Sequence, residues 1–96
     1  MYATVRRYEG VTNVREAARE VEKTFLPIVT GINGFVDYYW VDAGGGVMLS
    51  TTVFENKAGA DESNRRAADV VKDKLAKVLP NAPQITEGEV MVHKAH

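Results

Sequence analysis

The chain has 96 residues, of which 45% are hydrophobic and 26% are charged, and this composition is typical of one small globular domain. A formal net charge of −1 gives no electrostatic reason to expect nucleic acid or an anionic membrane as a partner. The absence of cysteine excludes disulfides, thiolate nucleophiles and cysteine-ligated metal sites. The start of the chain does not resemble a signal peptide, and no apolar run is long enough to span a bilayer, so we expect a cytoplasmic protein without a membrane partner.

The first part of the chain predicts a strand followed by a helix. Residues 2 to 9 alternate between apolar and polar side chains in the manner of a strand. Asn13 is a suitable N-cap for a helix whose apolar residues recur at spacings of three and four. Because Pro27 lacks a backbone donor, this helix is expected to kink or end near Leu26.

Residues 34 to 55 predict a β-hairpin that is apolar on both faces. Aromatic and β-branched residues fill its two arms, and three consecutive glycines supply a turn in which φ can be positive. With Gly44 and Gly45 at the tip, Trp40 is expected opposite Leu49 and Tyr38 opposite Thr51 on one face. Phe35 is expected opposite Phe54 on the other face. A sheet in a small domain normally has one polar face, and this hairpin has no obvious one.

The rest of the chain predicts a second helix and a last strand. Asn56 caps the helix, Pro80 limits its end, and residues 84 to 94 form the strand. The order β-α-β-β-α-β predicts an α+β fold of the ferredoxin-like class in a single domain over residues 1–96. Its four-stranded antiparallel sheet carries both helices on one face.

The two-sided hairpin also predicts self-association. Two helices cover only one face of the sheet, so the other face leaves several large apolar side chains exposed to water. Burial of each such side chain is worth roughly 1.5–3 kcal/mol. We therefore expect a homodimer in which two sheets pack face to face.

Several segments resemble a known family over nearly the whole chain. They are Phe25–Pro27, Asn33–Phe35, Tyr38–Tyr39, Leu49–Glu55 and Gly88–Val90. In these segments the chain resembles the antibiotic-biosynthesis-monooxygenase-like domains of the dimeric α/β-barrel superfamily. The resemblance implies a homodimer of ferredoxin-like subunits. The activities known in that family include cofactor-independent oxygenation of phenolic or quinol-like molecules and degradation of haem.

The resemblance has one clear departure. Haem-degrading members use an Asn on the first strand, a Trp in the second helical region and an axial His. Here the first strand offers Thr4 and Arg6, and the second helix has neither Trp nor His. Haem degradation is therefore not expected, and no cofactor is predicted.

Candidate site residues follow from the expected faces of the helices and the sheet. Asn64 shares a helical face with the inward-facing alanines, where it either contacts a ligand or bonds to backbone or water. The candidates for a substrate pocket are Asn64, Tyr38, Trp40 and Thr51. The candidates for the dimer interface are Tyr39, Ser50, Thr52 and Phe54. No residue pair marks an activated nucleophile or base, so the catalytic residues stay unassigned.

Other polar signals indicate no further site. His93 and His96 lie near the end of the chain without carboxylates at ligand spacing, so no metal site is predicted. The doublets Arg6–Arg7 and Arg65–Arg66 are expected on the solvated surface. The third strand lacks the basic-Gly-aromatic signature of RNA-recognition motifs, which share this order of elements.

Two functional classes remain open. One is an enzyme that resembles cofactor-independent monooxygenases and acts on a small aromatic or quinol-type molecule. The other is a non-catalytic dimer of the same fold that binds a small ligand or only assembles. A pocket of roughly 300 Å³ or more lined by Asn64 and the aromatic residues favours the first class. A solid core with Asn64 satisfied internally favours the second.

Overall fold

The computed structural model of the protein describes residues 1–95. Its elements follow in the order β1 (Tyr2–Tyr8), α1 (Val14–Thr24), α2 (Leu26–Thr30), β2 (Phe35–Gly44), β3 (Val47–Phe54), α3 (Lys57–Lys74) and β4 (Gln84–Glu89). The strands form one sheet in the order β2-β3-β1-β4, and all neighbouring strands are antiparallel. Each β-α-β crossover thus skips one strand, which confirms the predicted ferredoxin-like fold.

Side-chain caps fix the beginnings of the two long helices. The Asn13 side chain accepts a hydrogen bond from the Glu16 backbone N–H at 3.0 Å. The Asn56 side chain likewise accepts one from the Gly59 N–H at 3.0 Å. Each cap satisfies a backbone donor that has no partner within the helix.

The first helix is divided in two at the predicted place. α1 ends at Thr24, Phe25 adopts helical φ and ψ without continuing the helix, and α2 begins at Leu26. Pro27 lies in the first turn of α2, where its missing N–H removes no helical hydrogen bond.

The sheet has a helix-side face and an outer face, which the strand register defines. The helix-side face consists of Tyr2, Thr4, Arg6, Tyr8, Phe35, Tyr38, Trp40, Met48, Ser50, Thr52, Phe54, Ile85 and Glu87. The outer face includes Val5, Arg7, Tyr39, Val41, Leu49, Thr51 and Val53. The core lies between the helix-side face and the helices, where Met48 and Phe54 pack with Val21 of α1 and Ala67 of α3.

The expected register of the hairpin is wrong over most of β2. Tyr38 pairs with Thr52 and Trp40 with Ser50, one residue away from the expected partners. The tip lies one residue later, because Gly44 pairs with Val47 across the turn, and the register shifts again after Asp42. A second shift after Phe35 restores the expected Phe35–Phe54 pair. A one-residue slip moves side chains to the opposite face, so it alters the candidate site.

The last strand is shorter than expected. β4 ends at Glu89, and the Val90 N–H donates to the Met1 carbonyl at 2.9 Å. Glu89 pairs with Tyr2, where β1 begins, and the described residues from Val90 onward form a tail outside the sheet. This tail brings His93 Nε2 to 3.9 Å from Asp37 Oδ2 of β2.

Two kinds of feature are absent from residues 1–95. No described helix is both long and apolar enough to span a membrane. No group of three or more His, Asp or Glu in this range is arranged to hold a metal ion. His96 lies outside the described residues.

Candidate functional site

A cavity of about 360 Å³ opens between α3, the segment that follows it, and the β1–β4 side of the sheet. Its walls are mainly apolar, with Ala67 and Val71 on α3, Leu79 and Pro83 beyond the helix, and Ile85 on β4. The small inward residues of α3 leave space that larger side chains would fill. The volume lies at the small end of the range for ligand pockets, roughly 300–1,000 Å³.

The polar end of this cavity is formed by Arg6 and Asn64. Arg6 is only 2% exposed, because alternation along β1 places it on the helix-side face between Thr4 and Tyr8. Its Nη2 donates to Asn64 Oδ1, and Asn64 Nδ2 donates to Glu87 Oε2 at 2.6 Å. A guanidinium is thus linked through one amide to a carboxylate at the edge of the sheet.

The hydrogen-bonding capacity of the Arg6 guanidinium is not fully used within the described part of the chain. Its Nη1 is buried and makes no hydrogen bond to any of residues 1–95. Burial lowers the pKa of Arg6, while the nearby Tyr8, Tyr38 and Glu87 oppose that shift. Arginine stays protonated in proteins, so the site contains a buried positive charge that is neutralised only indirectly.

The cavity lining is positively charged. Its ionisable side chains that carry charge near neutral pH are Arg6 and Lys72, and no Asp or Glu lines it. Glu87 is exposed and reaches Arg6 only through Asn64. An anionic group is therefore favoured inside the cavity over a cationic one.

A smaller space, here called the inner recess, adjoins the cavity. The two share part of their lining, including Arg6, Tyr8 and Val71, and the recess also borders Tyr38 and Trp40. Its volume is about 10 Å³, close to the space that one water molecule needs. Trp40 Nε1 is buried and has no hydrogen-bond partner among residues 1–95.

Aromatic packing keeps the walls of the recess in place. The Tyr8 and Trp40 rings lie 5.5 Å apart between centroids at 50°, and the Phe25 and Tyr38 rings lie 5.8 Å apart at 58°. Such tilted pairs add roughly 0.5–1.5 kcal/mol beyond their buried area. The donors of Arg6 and Trp40 are therefore held in a well-packed setting.

The structure brings together only some of the predicted pocket residues. Asn64 lines the cavity, but its amide is already bonded to Arg6 and Glu87. Tyr38 and Trp40 line the inner recess. Thr51 lies on the outer face, so the expectation that it shares a face with Tyr38 and Trp40 is wrong.

The predicted interface residues are also divided by the register. Tyr39 lies on the outer face and is 57% exposed, as the interface hypothesis needs. Ser50, Thr52 and Phe54 lie instead on the helix-side face and are buried. Their expected position on the free face is wrong, because the hairpin tip is displaced by one residue.

Sequence reasoning missed Arg6 as a site residue. The Arg6–Arg7 doublet was expected on the surface, and only Arg7 is exposed. The strand pattern contained a usable signal, since Arg6 alternates with Thr4 and Tyr8 and must share their face. Sequence reasoning also missed Tyr8, Lys72 and Glu87. Their positions at or beside the cavity result from contacts between segments that are distant in the sequence.

The buried tyrosines predict a loss of stability at alkaline pH. Burial raises the pKa of Tyr8 and of Tyr38, and Arg6 partly offsets both shifts. In the unfolded chain a tyrosine ionises near pH 10. The unfolding free energy should therefore be unaffected by these groups below about pH 10 and fall as the pH rises above it.

Urea unfolding at a series of pH values from about 8 to 11 measures this decline. Tyr38→Phe removes one of the two groups and should make the decline shallower. Equal slopes for the wild type and Tyr38→Phe would show that Tyr38 ionises as easily in the folded protein as in the unfolded chain.

Comparisons with known proteins give structural likenesses only. No family model matches the chain, and no curated protein matches it. A monooxygenase from the gene ActVA-Orf6 of Streptomyces coelicolor, in complex with nanaomycin D, is 11% identical with a TM-score of 0.76. That match covers 99% of this chain and 91% of the other.

Two further solved structures have the same architecture. A MhuD variant with two manganese protoporphyrin IX molecules bound per active site is 12% identical with a TM-score of 0.73, and the match covers 100% of each chain. A dimeric ferredoxin-like protein from an uncultured marine organism is 9% identical with a TM-score of 0.66, covering 99% of this chain and 97% of the other. These likenesses show that the chain has the ferredoxin-like fold of the antibiotic-biosynthesis-monooxygenase type.

Proposed function

We propose that the cavity binds a small aromatic molecule of the phenolic or quinol type and that the protein oxygenates it with dioxygen, without a bound cofactor. The observation that carries this proposal is the apolar cavity of about 360 Å³ that ends at the buried guanidinium of Arg6. Apolar walls suit the rings of such a molecule, and a fixed positive charge suits its ionised oxygen.

The proposed reaction needs no redox group from the protein. An ionised phenol is electron-rich and can itself reduce dioxygen. For a ring methylene oxidised to a carbonyl, the carbon loses two hydrogens and four electrons pass to dioxygen. One oxygen atom becomes the carbonyl oxygen, and the other leaves as water. The apolar walls keep bulk water away from the reacting ring, and Arg6 stabilises the anion.

The residues that line the cavity determine where the proton of the phenol goes when the phenolate forms. Arg6 and Lys72 are cationic, and burial raises the pKa of the Tyr8 hydroxyl, so these groups do not accept a proton near neutral pH. The proton of the phenol must therefore pass to solvent through the open mouth of the cavity. This favours substrates that ionise readily.

A second candidate function is binding without turnover. The Asn64 amide is engaged with Arg6 and Glu87, so Asn64 is not free to orient a reacting group. A carrier or sensor of small aromatic anions needs only the cavity and Arg6.

The lining does not suit haem. It contains no histidine, and His93 lies on the tail beside Asp37, at the β2 edge of the sheet. No residue that lines the cavity thus offers an axial nitrogen ligand. The MhuD likeness is one of fold, and we propose no haem chemistry for this chain.

The homodimer is part of the proposal. The outer face exposes several apolar side chains to water. They are Val5 at 36%, Tyr39 at 57% and Val41 at 44% exposure. Several exposed apolar side chains on one sheet face are typical of an interface. A second copy of the chain presents the same face, so two outer faces can cover each other about a twofold axis.

Oxygen uptake with anthrone, the keto tautomer of a phenol, tests the enzymatic proposal. We expect the wild type to convert anthrone to anthraquinone faster than the protein-free reaction, with one atom of labelled dioxygen in the product. Arg6→Met should lose at least about tenfold in rate, because a hydrogen bond to a charged group is worth roughly 1.5–3 kcal/mol. Lys74→Gln, which changes an exposed charge on α3 outside the lining, is the matched control.

Two results would contradict the proposal. One is a wild-type rate equal to the protein-free rate across anthrone and related phenols. The other is equal acceleration by the wild type and Arg6→Met. Binding of the same compounds without any acceleration would favour the carrier function instead.

A further inference from the structure

Two side chains that line the inner recess each have a buried donor without a partner in the described part of the chain. Arg6 Nη1 and Trp40 Nε1 are each buried without a hydrogen-bond partner among residues 1–95, and both side chains line the recess. A buried donor without a hydrogen bond costs roughly 1–3 kcal/mol of stability, and more when the group is charged. Two such donors beside one small space are a specific arrangement that requires an explanation.

The size of the recess limits what these donors can bind. Its volume of about 10 Å³ matches one water-sized atom. It lies directly beside the cavity, because Arg6, Tyr8 and Val71 line both spaces. This is where an oxygen that projects from a ring in the cavity comes nearest to the recess. A carboxylate carries two oxygens side by side and is too wide for this space, whereas a phenolate carries one.

We propose that the inner recess is an oxyanion site that selects aromatic molecules with a single projecting anionic oxygen, with Arg6 Nη1 and Trp40 Nε1 as the donors. The rings then lie in the cavity against Ala67, Val71 and Ile85. This inference rests on the proposed function, because it concerns the same cavity, but it does not require turnover. It makes Trp40 a specificity-determining residue rather than a wall of the core.

The polar network behind Arg6 sets the strength of this site. Asn64 accepts from Nη2 and donates to Glu87, which holds the Glu87 carboxylate near the guanidinium. Glu87 therefore weakens the attraction between Arg6 and a bound anion. Glu87→Gln keeps an acceptor for Asn64 and removes the negative charge, so it should strengthen the binding of an anion several-fold.

Ionisation of 2-naphthol in the presence of the full chain tests the oxyanion site. Its neutral and ionised forms differ in absorbance, so the pKa of the bound molecule can be read directly under anaerobic conditions. We expect the wild type to lower this pKa by about 1–2 units, as a nearby positive charge does. Trp40→Phe keeps an aromatic ring and removes the donor, so it should reduce the shift, and Arg6→Met should abolish it.

Additional ligands and variants keep the test decisive. The wild type should bind 2-naphtholate at least about tenfold more tightly than 2-naphthoate, and Glu87→Gln should increase the affinity for 2-naphtholate. Lys74→Gln, outside the lining, should change neither result. Glu87 is exposed, so its variant still tests the proposal if Arg6→Met does not fold.

The overturning results are specific. An unshifted pKa in the wild type, or no binding of 2-naphthol, would overturn the proposal, because the recess would then hold a resident water only. Equal shifts in the wild type, Arg6→Met and Trp40→Phe, or equal affinity for 2-naphthoate, would also overturn it. A lowered pKa without oxygen uptake would support the oxyanion site and contradict the oxygenase, so the two failures are distinguishable.

Discussion

Asn64→Ala is expected to destabilise the protein by about 2–3 kcal/mol, although Asn64 is only partly buried. The substitution removes the acceptor of Arg6 Nη2, and Nη1 already has no partner in the described chain. Both Nη nitrogens of a buried cation would then lack an acceptor in the described chain. Loss of the partner of a buried charge is among the most destabilising single changes.

Arg6→Met should by contrast be close to neutral. It removes the buried charge together with its unsatisfied donor and fills the space with an apolar side chain. The double variant Arg6→Met/Asn64→Ala should therefore be more stable than Asn64→Ala alone. This recovery identifies the interaction between the two residues as the cause.

Urea unfolding at one fixed protein concentration measures these differences, since the proposed assembly makes stability depend on concentration. Arg65→Met is the control, because Arg65 is the exposed neighbour of Asn64 on α3 and pairs with Glu62 at the surface. A change within about 0.5 kcal/mol is expected there. If Asn64→Ala matched this control, or the double variant showed no recovery, the buried network would not be a stabilising unit.

Val5→Lys is expected to convert the proposed homodimer into a monomer. Val5 lies on β1, an inner strand of the sheet, and its side chain is 36% exposed on the outer face. In the lone subunit the lysine can reach water, so the fold itself should persist. In a twofold dimer the substitution occurs twice and buries two like charges, which should weaken association by at least about 10³-fold.

Sedimentation velocity over a range of concentrations measures this change. Ala58→Lys, at an exposed position on α3 on the opposite side of the sheet, is the matched control and should stay dimeric. A monomeric wild type, or a Val5→Lys variant that associates as strongly as the control, would contradict the proposed interface.

The fold is largely predictable from the sequence because its signals are local. Asn13 and Asn56 act as caps, and Pro27 lies at the break between α1 and α2, as their chemistry requires. The order of elements then limits the topology to few arrangements. The end of β4 at Glu89 was missed, because it depends on where the partner strand β1 begins.

The candidate site was less predictable because it depends on register and on distant contacts. A shift of one residue in the position of the hairpin tip decides whether Ser50 and Thr52 share a face with Trp40 or with Tyr39. Arg6 was assigned to the surface by its charge, although its alternation with Thr4 and Tyr8 places it inside. Arginine residues are mostly exposed in folded proteins. The burial of Arg6 is explained only by its tertiary contact with Asn64.

The most direct test of the site is the structure of the protein with 2-naphtholate bound. The phenolate oxygen should lie within hydrogen-bond distance of Arg6 Nη1 and Trp40 Nε1, with the rings in the cavity against Val71 and Ile85. A ligand whose oxygen points to solvent, or that binds on the outer face while the cavity stays empty, would contradict the account.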